Sequence, residues 1–433
     1  MRRFQGKPNS ERQSCEDGTS CFIEFFLSEA PDHGLGPFLE ESWFTWDSGL
    51  GKGEFEARIG KIRHGMQTRN LDALIIYTFP RKFPSTSGYV RYVSNWSGVN
   101  ERTPSLIILP AKEHPELVIN SEGYLPLAKD ASWIERIRVR NSGFANEAKD
   151  ALSRFGIKNG SLGVVGFAEM TMDEYSSFQE ALAQYRIVKA EDVIDELRVV
   201  KSRKEIDLMR KAAEVCDEAF QRFKEAAKPG AREFEAVAEM EHAAARRGAE
   251  ESGCGVGSGP YAGYQQGTPR ARRYKAGDVV VASSVFRLRG YWAQLVRTGS
   301  IGKSSSEAEE LLSLVSDAQK EGIKALKPGA TVMNVYESTT RVVSASKYEK
   351  QNHRHIFRLG HGMGLDYSER PGLLPHTVTP DCDIKIQPGM VIELHPSLLL
   401  PDLAIGALQG DLCVVTDSGV ELLTKSDNGF FVT

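Results

Sequence analysis

Two stretches near the C-terminus hold the side chains best suited to chemistry: LGHGMGLDYSERPG, from Leu359 to Gly372, and GMVIELHP, from Gly389 to Pro396. In the second, Glu393 and His395 stand two apart in an apolar run that reads as a strand, so their side chains share a face. A carboxylate beside an imidazole fixes its tautomer and raises its basicity, which suits a general base near neutral pH. In the first, His361 lies between glycines, where backbone packs closely against a ligand, and offers a second acid-base group or a donor to substrate. Each has a structural alternative: Glu393 in a salt bridge with a nearby arginine, and either histidine satisfied inside the core. His353, His355 and His376 fall in polar, loop-like contexts and read as exposed.

Those groups need a scaffold, and the chain is long enough for two cores: its 433 residues exceed what a single core usually serves. Residues 1–53 show no sustained period and read as an irregular extension. From Glu54, the apolar positions Phe55, Ile59, Ile62 and Met66 lie on one helix face, and LDALIIY follows as a buried strand. YVRYVSNW, SLIILP, ELVIN, IRVR and LGVVGF read as further short strands. They alternate with helical stretches such as ANEAKDALSRF and MDEYSSFQEALAQY, which predicts an α/β domain over 54–194 with a mixed sheet. A charged amphipathic segment from Glu191 to Ala227 joins it to a second domain, 195–433. There AAKPGAREFEAV (Ala226 to Val237) is echoed by ALKPGATVMNV (Ala325 to Val335), each Lys-Pro-Gly-Ala stopping one helix before another starts. The echo predicts a domain built as two related halves.

Composition narrows the partners. Hydrophobic residues at 41% and charged residues at 26% fit an ordinary globular protein, and the apolar runs are too short for a membrane span. A formal net charge of -4 with no long run of either sign gives nucleic acid no footing, so a small molecule or peptide is the expected partner. The six cysteines (Cys15, Cys21, Cys216, Cys254, Cys382 and Cys413) lack C-x-x-C spacing and read as free thiols. No apolar segment follows the basic start, so the cytoplasm is the expected compartment. GCGVGSG, around Cys254, has no following Lys-Ser/Thr and is not a phosphate loop; Cys254 has no neighbouring histidine to activate it. No cofactor is expected.

Seven blocks in order, LRVVKSRKEIDLMRKAA, SGP, YKAGDVVVASS, GYWAQLVRTGSIG, LGHGMGL, QPGMVIELHPS and GDLCVVTDSGVELLTK, make residues 195–425 resemble the creatinase, prolidase and aminopeptidase P superfamily. Residues 54–190 resemble its smaller creatinase-type N-terminal domain. The resemblance implies an α/β (α+β) pita-bread C-terminal domain with a pseudo-twofold repeat and a site in the cavity of its curved sheet. It also implies a homodimer, in which a loop of one N-terminal domain closes the partner's pocket.

Metallopeptidases of that superfamily hold two divalent ions with two aspartates, a histidine and two glutamates. By position, the resemblance puts Ser283, Gln294, His361, His395 and Gly410 there, with Gln409 adjacent, and puts Gln266 and Ser368 where two further histidines flank the scissile bond. Neutral amides and hydroxyls do not balance two dications, so no metal is expected. Creatinase works without metal, and the likeness to it implies hydrolysis of a non-peptide C–N bond in a small carboxylate-bearing molecule. His395, assisted by Glu393, activates water, and His361 protonates the leaving group. Substrate-binding candidates are Gln266, Ser283, Gln294 and Gln409, with Arg370 and Arg102 as carboxylate forks and Tyr261, Tyr264 and Trp96 as walls. Arg297 reads as support for the sheet. Three alternatives stay open: a lyase or isomerase taking a proton beside a carboxylate, a binding protein without activity, and, ranked last, a metal-dependent Xaa-Pro dipeptidase.

Overall fold

Phe55, Ile59, Ile62 and Met66 are all buried along helix α1 (Lys52–Thr68), the face read from their spacing. They pack on a sheet whose central strand, β1 (Ala73–Thr78), is buried at every position. The computed structural model describes residues 48–79, 88–97, 103–350, 359–373 and 383–433. With β2 (Ser105–Pro110), β3 (Glu116–Ile119), β4 (Arg136–Val139), β5 (Gly160–Val165) and β6 (Tyr185–Lys189), β1 forms a six-stranded sheet in the order β4-β3-β2-β1-β5-β6. It is mixed, since β1 runs antiparallel to β2 and parallel to β5.

The further helices of this domain are α2 (Gly88–Ser94), α3 (Leu125–Ala131), α4 (Phe144–Arg154) and α5 (Met172–Ala181). One expectation fails here. YVRYVSNW, read as a strand, contributes α2 instead, and Gly88, Val90, Arg91, Tyr92, Val93 and Ser94 are all buried. A short run buried all round leaves no polar face, so period alone cannot separate helix from strand.

The connecting segment forms α6 (Asp192–Arg198) and then α7 (Arg203–Ala226), which Ser202 and Glu205 open with a reciprocal capping box. Helix α8 (Glu233–Arg246) follows, then β7 (Glu251–Ser252), β8 (Gly255–Ser258), β9 (Val279–Leu288) and β10 (Tyr291–Ser300), then α9 (Ser306–Ala325) and α10 (Val332–Ser344). The remaining strands are β11 (Gly360–Gly362), β12 (Glu369–Leu373), β13 (Val391–Leu394), β14 (Ser397–Leu400), β15 (Ile405–Leu408), β16 (Asp411–Thr416), β17 (Gly419–Leu422) and β18 (Phe431–Val432).

The sequence echo is reproduced bond for bond. Gly230 (φ 88°) and Gly329 (φ 85°) turn the chain after α7 and α9, a conformation that favours glycine. Gly230 N donates to Tyr274 O and Tyr274 N to Ala231 O, each 2.9 Å; Gly329 N donates to Ile386 O at 2.9 Å and Ile386 N to Ala330 O at 2.7 Å. Each half thus ties its helix turn to an incoming segment in the same way, and the two-halves expectation holds.

Strands β18-β10-β9-β7, with β8 on β9, form one sheet and β12-β11-β13-β16-β17 another. Val296 and Gly410 join them by exchanging backbone hydrogen bonds of 3.1 and 3.0 Å. Helix α7 covers the outer face of the first sheet, where Ser284 Oγ donates to Cys216 O at 2.9 Å. Helices α9 and α10 cover the second, burying Ile392, Leu394 and Cys413 against Leu311, Val315 and Val335. Because side chains alternate along β13, Glu393 is left on the inner face.

Candidate active site

His361 on β11 lies directly opposite Glu393 on β13. Opposed residues of antiparallel strands share a face, so imidazole and carboxyl meet by register rather than by loop conformation. His395 continues the pairing past the end of β13, its N–H donating to Leu359 O at 2.8 Å. Its ring stands edge-on to that of His361, with centroids 5.3 Å apart. A Cβ built on Gly410 would lie 2.7 Å from Glu393 Oε1 and 3.0 Å from both His395 Cβ and Val296 Cγ2. The structure therefore brings the three proposed catalytic residues together around residue 410.

Their states differ from the simple expectation. Glu393 and His361 are wholly buried, whereas His395 is half-buried. Among the described residues neither carboxyl oxygen of Glu393 has a hydrogen-bond partner. Burial pushes its carboxyl well above the usual carboxylate range, nearby Asp411 adds to this, and Arg297 opposes it without prevailing. Burial thus favours the protonated form of Glu393, and among the described residues it forms no salt bridge. The arginine within reach is committed elsewhere: Arg297 pairs with Asp411 at 2.7 Å and donates to the carbonyls of Val296, Gly410, Ser426 and Asp427. That matches its expected role in supporting the sheet. His361 Nδ1 lies 3.0 Å from Gly362 O. A carbonyl only accepts, so Nδ1 carries a proton, and in the neutral tautomer Nε2 is the acceptor.

The other candidates divide. Ser283 Oγ is engaged with Gly255, accepting from its N–H at 3.1 Å. Gln266 borders the same point, its Cβ and Ser283 Oγ each 3.3 Å from a Cβ built on Gly255. Gln294 Oε1 accepts from the hydroxyl of Tyr367 at 2.8 Å, and Tyr367 is a contact the sequence reading missed. Gln409 is buried but turns its amide to Asn428 at 3.1 Å. Arg370 is half-buried on β12. Tyr261 and Tyr264 are exposed, the former under the Arg270 guanidinium. Trp96 does not wall the site: it is buried in the N-terminal core, its indole N–H donating to Ser105 Oγ at 2.9 Å. Arg102, His353, His355 and His376 lie outside the described residues. Cys254 is half-buried, and desolvation drives its thiol far up, which leaves it inert.

Residues 58–200 match the family profile of the creatinase/prolidase N-terminal domain, and residues 207–417 that of metallopeptidase family M24. The chain belongs to the creatinase, prolidase and aminopeptidase P superfamily. Within it, an Xaa-Pro dipeptidase of Pyrococcus furiosus is 29% identical over 269 residues, 62% of this chain and 74% of that one. An uncharacterized peptidase of Bacillus subtilis is 27% identical over 310 residues, 69% of this chain and 84% of that one. Among solved structures, the prolidase of Pyrococcus horikoshii superposes with a TM-score of 0.75 at 25% identity, over 86% of this chain and 99% of that one. The superfamily's pita-bread domain and creatinase-type N-terminal domain are thus both present.

These relatives overturn the creatinase-based expectation. The matched C-terminal family is one of metallopeptidases, and the matches with a stated activity include Xaa-Pro dipeptidases and prolidases. Neither a non-peptide C–N substrate nor metal-independent chemistry follows from such relatives.

Ser283 is taken up by Gly255, Gln294 by Tyr367, and Gly410 has no side chain. Among the described residues no three of His, Cys, Asp and Glu are arranged to hold a metal ion. Hard dications need several anionic oxygens, so the donors do not fit a dinuclear site, and no reaction step is routed through one.

Proposed function

We propose that this chain is a peptidase acting on short peptides, with dipeptides of the Xaa-Pro type as its substrate class. The observation that carries this reading is the likeness to Xaa-Pro dipeptidases and prolidases, which runs through both domains. The inner face supports it with two proton-transfer groups in register. His361 Nε2 is placed to accept a proton, and the carboxyl of Glu393, whose protonated form burial favours, stands opposite it. His395 stands edge-on to His361 on the same face, within reach of a molecule bound there. The enzyme works as a homodimer in this reading, which light scattering tests.

A second reading, peptide binding without turnover, draws on the neutral donors Ser283 and Gln294 at positions where the metallopeptidases carry aspartates. Proline release from a panel of Xaa-Pro dipeptides, with and without added Mn²⁺ or Co²⁺, separates the two. Release that disappears in His361→Ala supports the peptidase. Calorimetric binding of the same dipeptides without release supports the binder, and neither release nor binding refutes both.

A further inference from the structure

Tyr367 lies in the loop between β11 and β12 and touches the inner face at three points. Its hydroxyl donates to Gln294 Oε1 at 2.8 Å. Its ring lies 4.9 Å from the His361 ring and stands edge-on to Trp292 at 6.1 Å. His361 and Trp292 are fully buried and Gln294 is 6% exposed, while Tyr367 itself is half-buried. Its ring therefore stands between those groups and the outside.

The residues flanking Tyr367 are held by the other domain and by the connection to it. Asp366 Oδ2 pairs with Arg198 at 2.7 Å, and Glu369 pairs with Arg198 and, at 3.0 Å, with Lys201. Gly88, the first residue of α2, donates its N–H to Asp366 Oδ1 at 3.0 Å. A Cβ on Gly88 would meet Asp366 Oδ2 at 2.8 Å and collide with the Arg198 guanidinium, so the approach requires glycine. The loop is tied to β10 as well, through Trp292 N and Gly364 O at 2.8 Å. Burial alone would raise the carboxyl of Glu369, but Arg198 and Lys201 outweigh it and bring it down to about 2. Two cations and two carboxylates buried together have few alternative pairings, because slipping one leaves another unpaired in a poorly solvating place. Such a cluster fixes geometry more than it adds stability.

We propose that Tyr367 is a positioning residue for His361 and Gln294, and that the Arg198–Asp366–Glu369–Lys201 cluster holds it in place, so that docking of the N-terminal domain sets the inner-face site. Tyr367 acts through the orientation of an imidazole and an amide, whichever peptide the site takes. Among the groups facing His361 are Glu393 from β13, His395 from the end of the same strand and Tyr367 from the loop.

The test reads the imidazole directly and needs no substrate. In full-length protein carrying ¹⁵N-histidine, the His361 ring nitrogens are identified by their loss in His361→Gln and compared between variants at one pH. Tyr367→Leu is expected to shift the signals of both nitrogens, because the ring that packs on His361 is removed. Tyr367→Phe keeps the ring and is expected to restore most of the wild-type spectrum. Asp366→Asn and Lys201→Gln, neither of which touches His361, are expected to reproduce part of the Tyr367→Leu shift. Gly88→Ala is expected to do so from the other domain. Unchanged His361 signals in folded Tyr367→Leu overturn the proposal. A shift there with none in Asp366→Asn, Lys201→Gln or Gly88→Ala overturns the role of the cluster.

Discussion

Glu393 and Gly410 interlock: the Glu393 Oε1 atom stands 2.7 Å from where a Cβ on Gly410 would be. Glu393 lies on β13 and Gly410 immediately before β16, the strand paired with it, and the absence of a side chain at Gly410 makes room for the carboxyl. Gly410→Ala is therefore expected to destabilise the protein by about 1–3 kcal/mol, the usual range for overpacking a closed site. In a Glu393→Ser background the same change should cost less by about 1 kcal/mol, although His395 and Val296 still crowd the position. Denaturant unfolding of the four proteins gives the coupling; strictly additive effects would show that the two residues do not share the space.

The state of Glu393 predicts how stability depends on pH. Burial raises its carboxyl in the folded protein, so the native state holds a proton that the unfolded chain has released. Stability from this group is complete below the unfolded carboxyl range and falls as pH rises towards the folded value, with a limiting slope of about 1.4 kcal/mol per pH unit. Glu393→Gln keeps the shape and removes the proton. It is expected to be the more stable protein at neutral pH and to flatten that part of the profile, as read from unfolding curves across the pH range. A wild-type profile with the same slope as the variant's would mean that Glu393 is ionised when folded.

Much of this arrangement is legible in the sequence, for physical reasons that differ by residue. Phe55, Ile59, Ile62 and Met66 announce α1 because a helix packed on a sheet keeps one apolar face. The Lys-Pro-Gly echo announces the two halves because Gly230 and Gly329 each need a left-handed turn. Glu393 and His395 share a face because a strand alternates, and that expectation holds. The partners are not legible. Tyr367 meets Gln294 across 73 positions of chain and Arg297 meets Asp411 across 114, and no periodicity encodes such pairings. The protonation of Glu393 escapes the sequence for the same reason: Arg297, which could have paired with it, pairs with Asp411 instead. Trp96 misleads because a tryptophan in a polar stretch looks the same whether its indole N–H meets a ligand or, as here, a serine on the next strand.

The Arg297–Asp411 pair should be costly to break and cheap to replace. Both side chains are about 1% exposed, and Asp411 also accepts from Thr424 at 2.7 Å and Gln319 at 3.0 Å. Arg297→Met leaves Asp411 buried without its cation and is expected to cost about 3–5 kcal/mol. Because Arg297 also holds the carbonyls of Val296 and Gly410 where the two sheets join, the loss should reach the inner face and abolish any peptide turnover. Arg297→Met combined with Asp411→Leu should recover a large part of the stability without recovering turnover. Thermal unfolding and the proline-release assay, run on both variants, check the two halves of this expectation.

Metal stoichiometry tests the donor set. Among the described residues, the strong donors gathered on the inner face are His361, His395 and Glu393; Ser283 and Gln294 are neutral and already bonded, and Gly410 contributes none. Two adjacent dications need about four ligands each, several of them anionic, and three donors cannot supply that. Titration with Co²⁺ or Mn²⁺, followed by dialysis and elemental analysis, is expected to give no more than one equivalent per chain. Any equivalent held on the inner face should be lost in His361→Ala and weakened in Glu393→Gln. Replacing His353, His355 and His376 together by alanine should leave such an equivalent unchanged. Two tightly held equivalents in the wild type would mean that carboxylates outside the described residues complete the site, and the reading of Ser283, Gln294 and Gly410 as vacated ligand positions would fall.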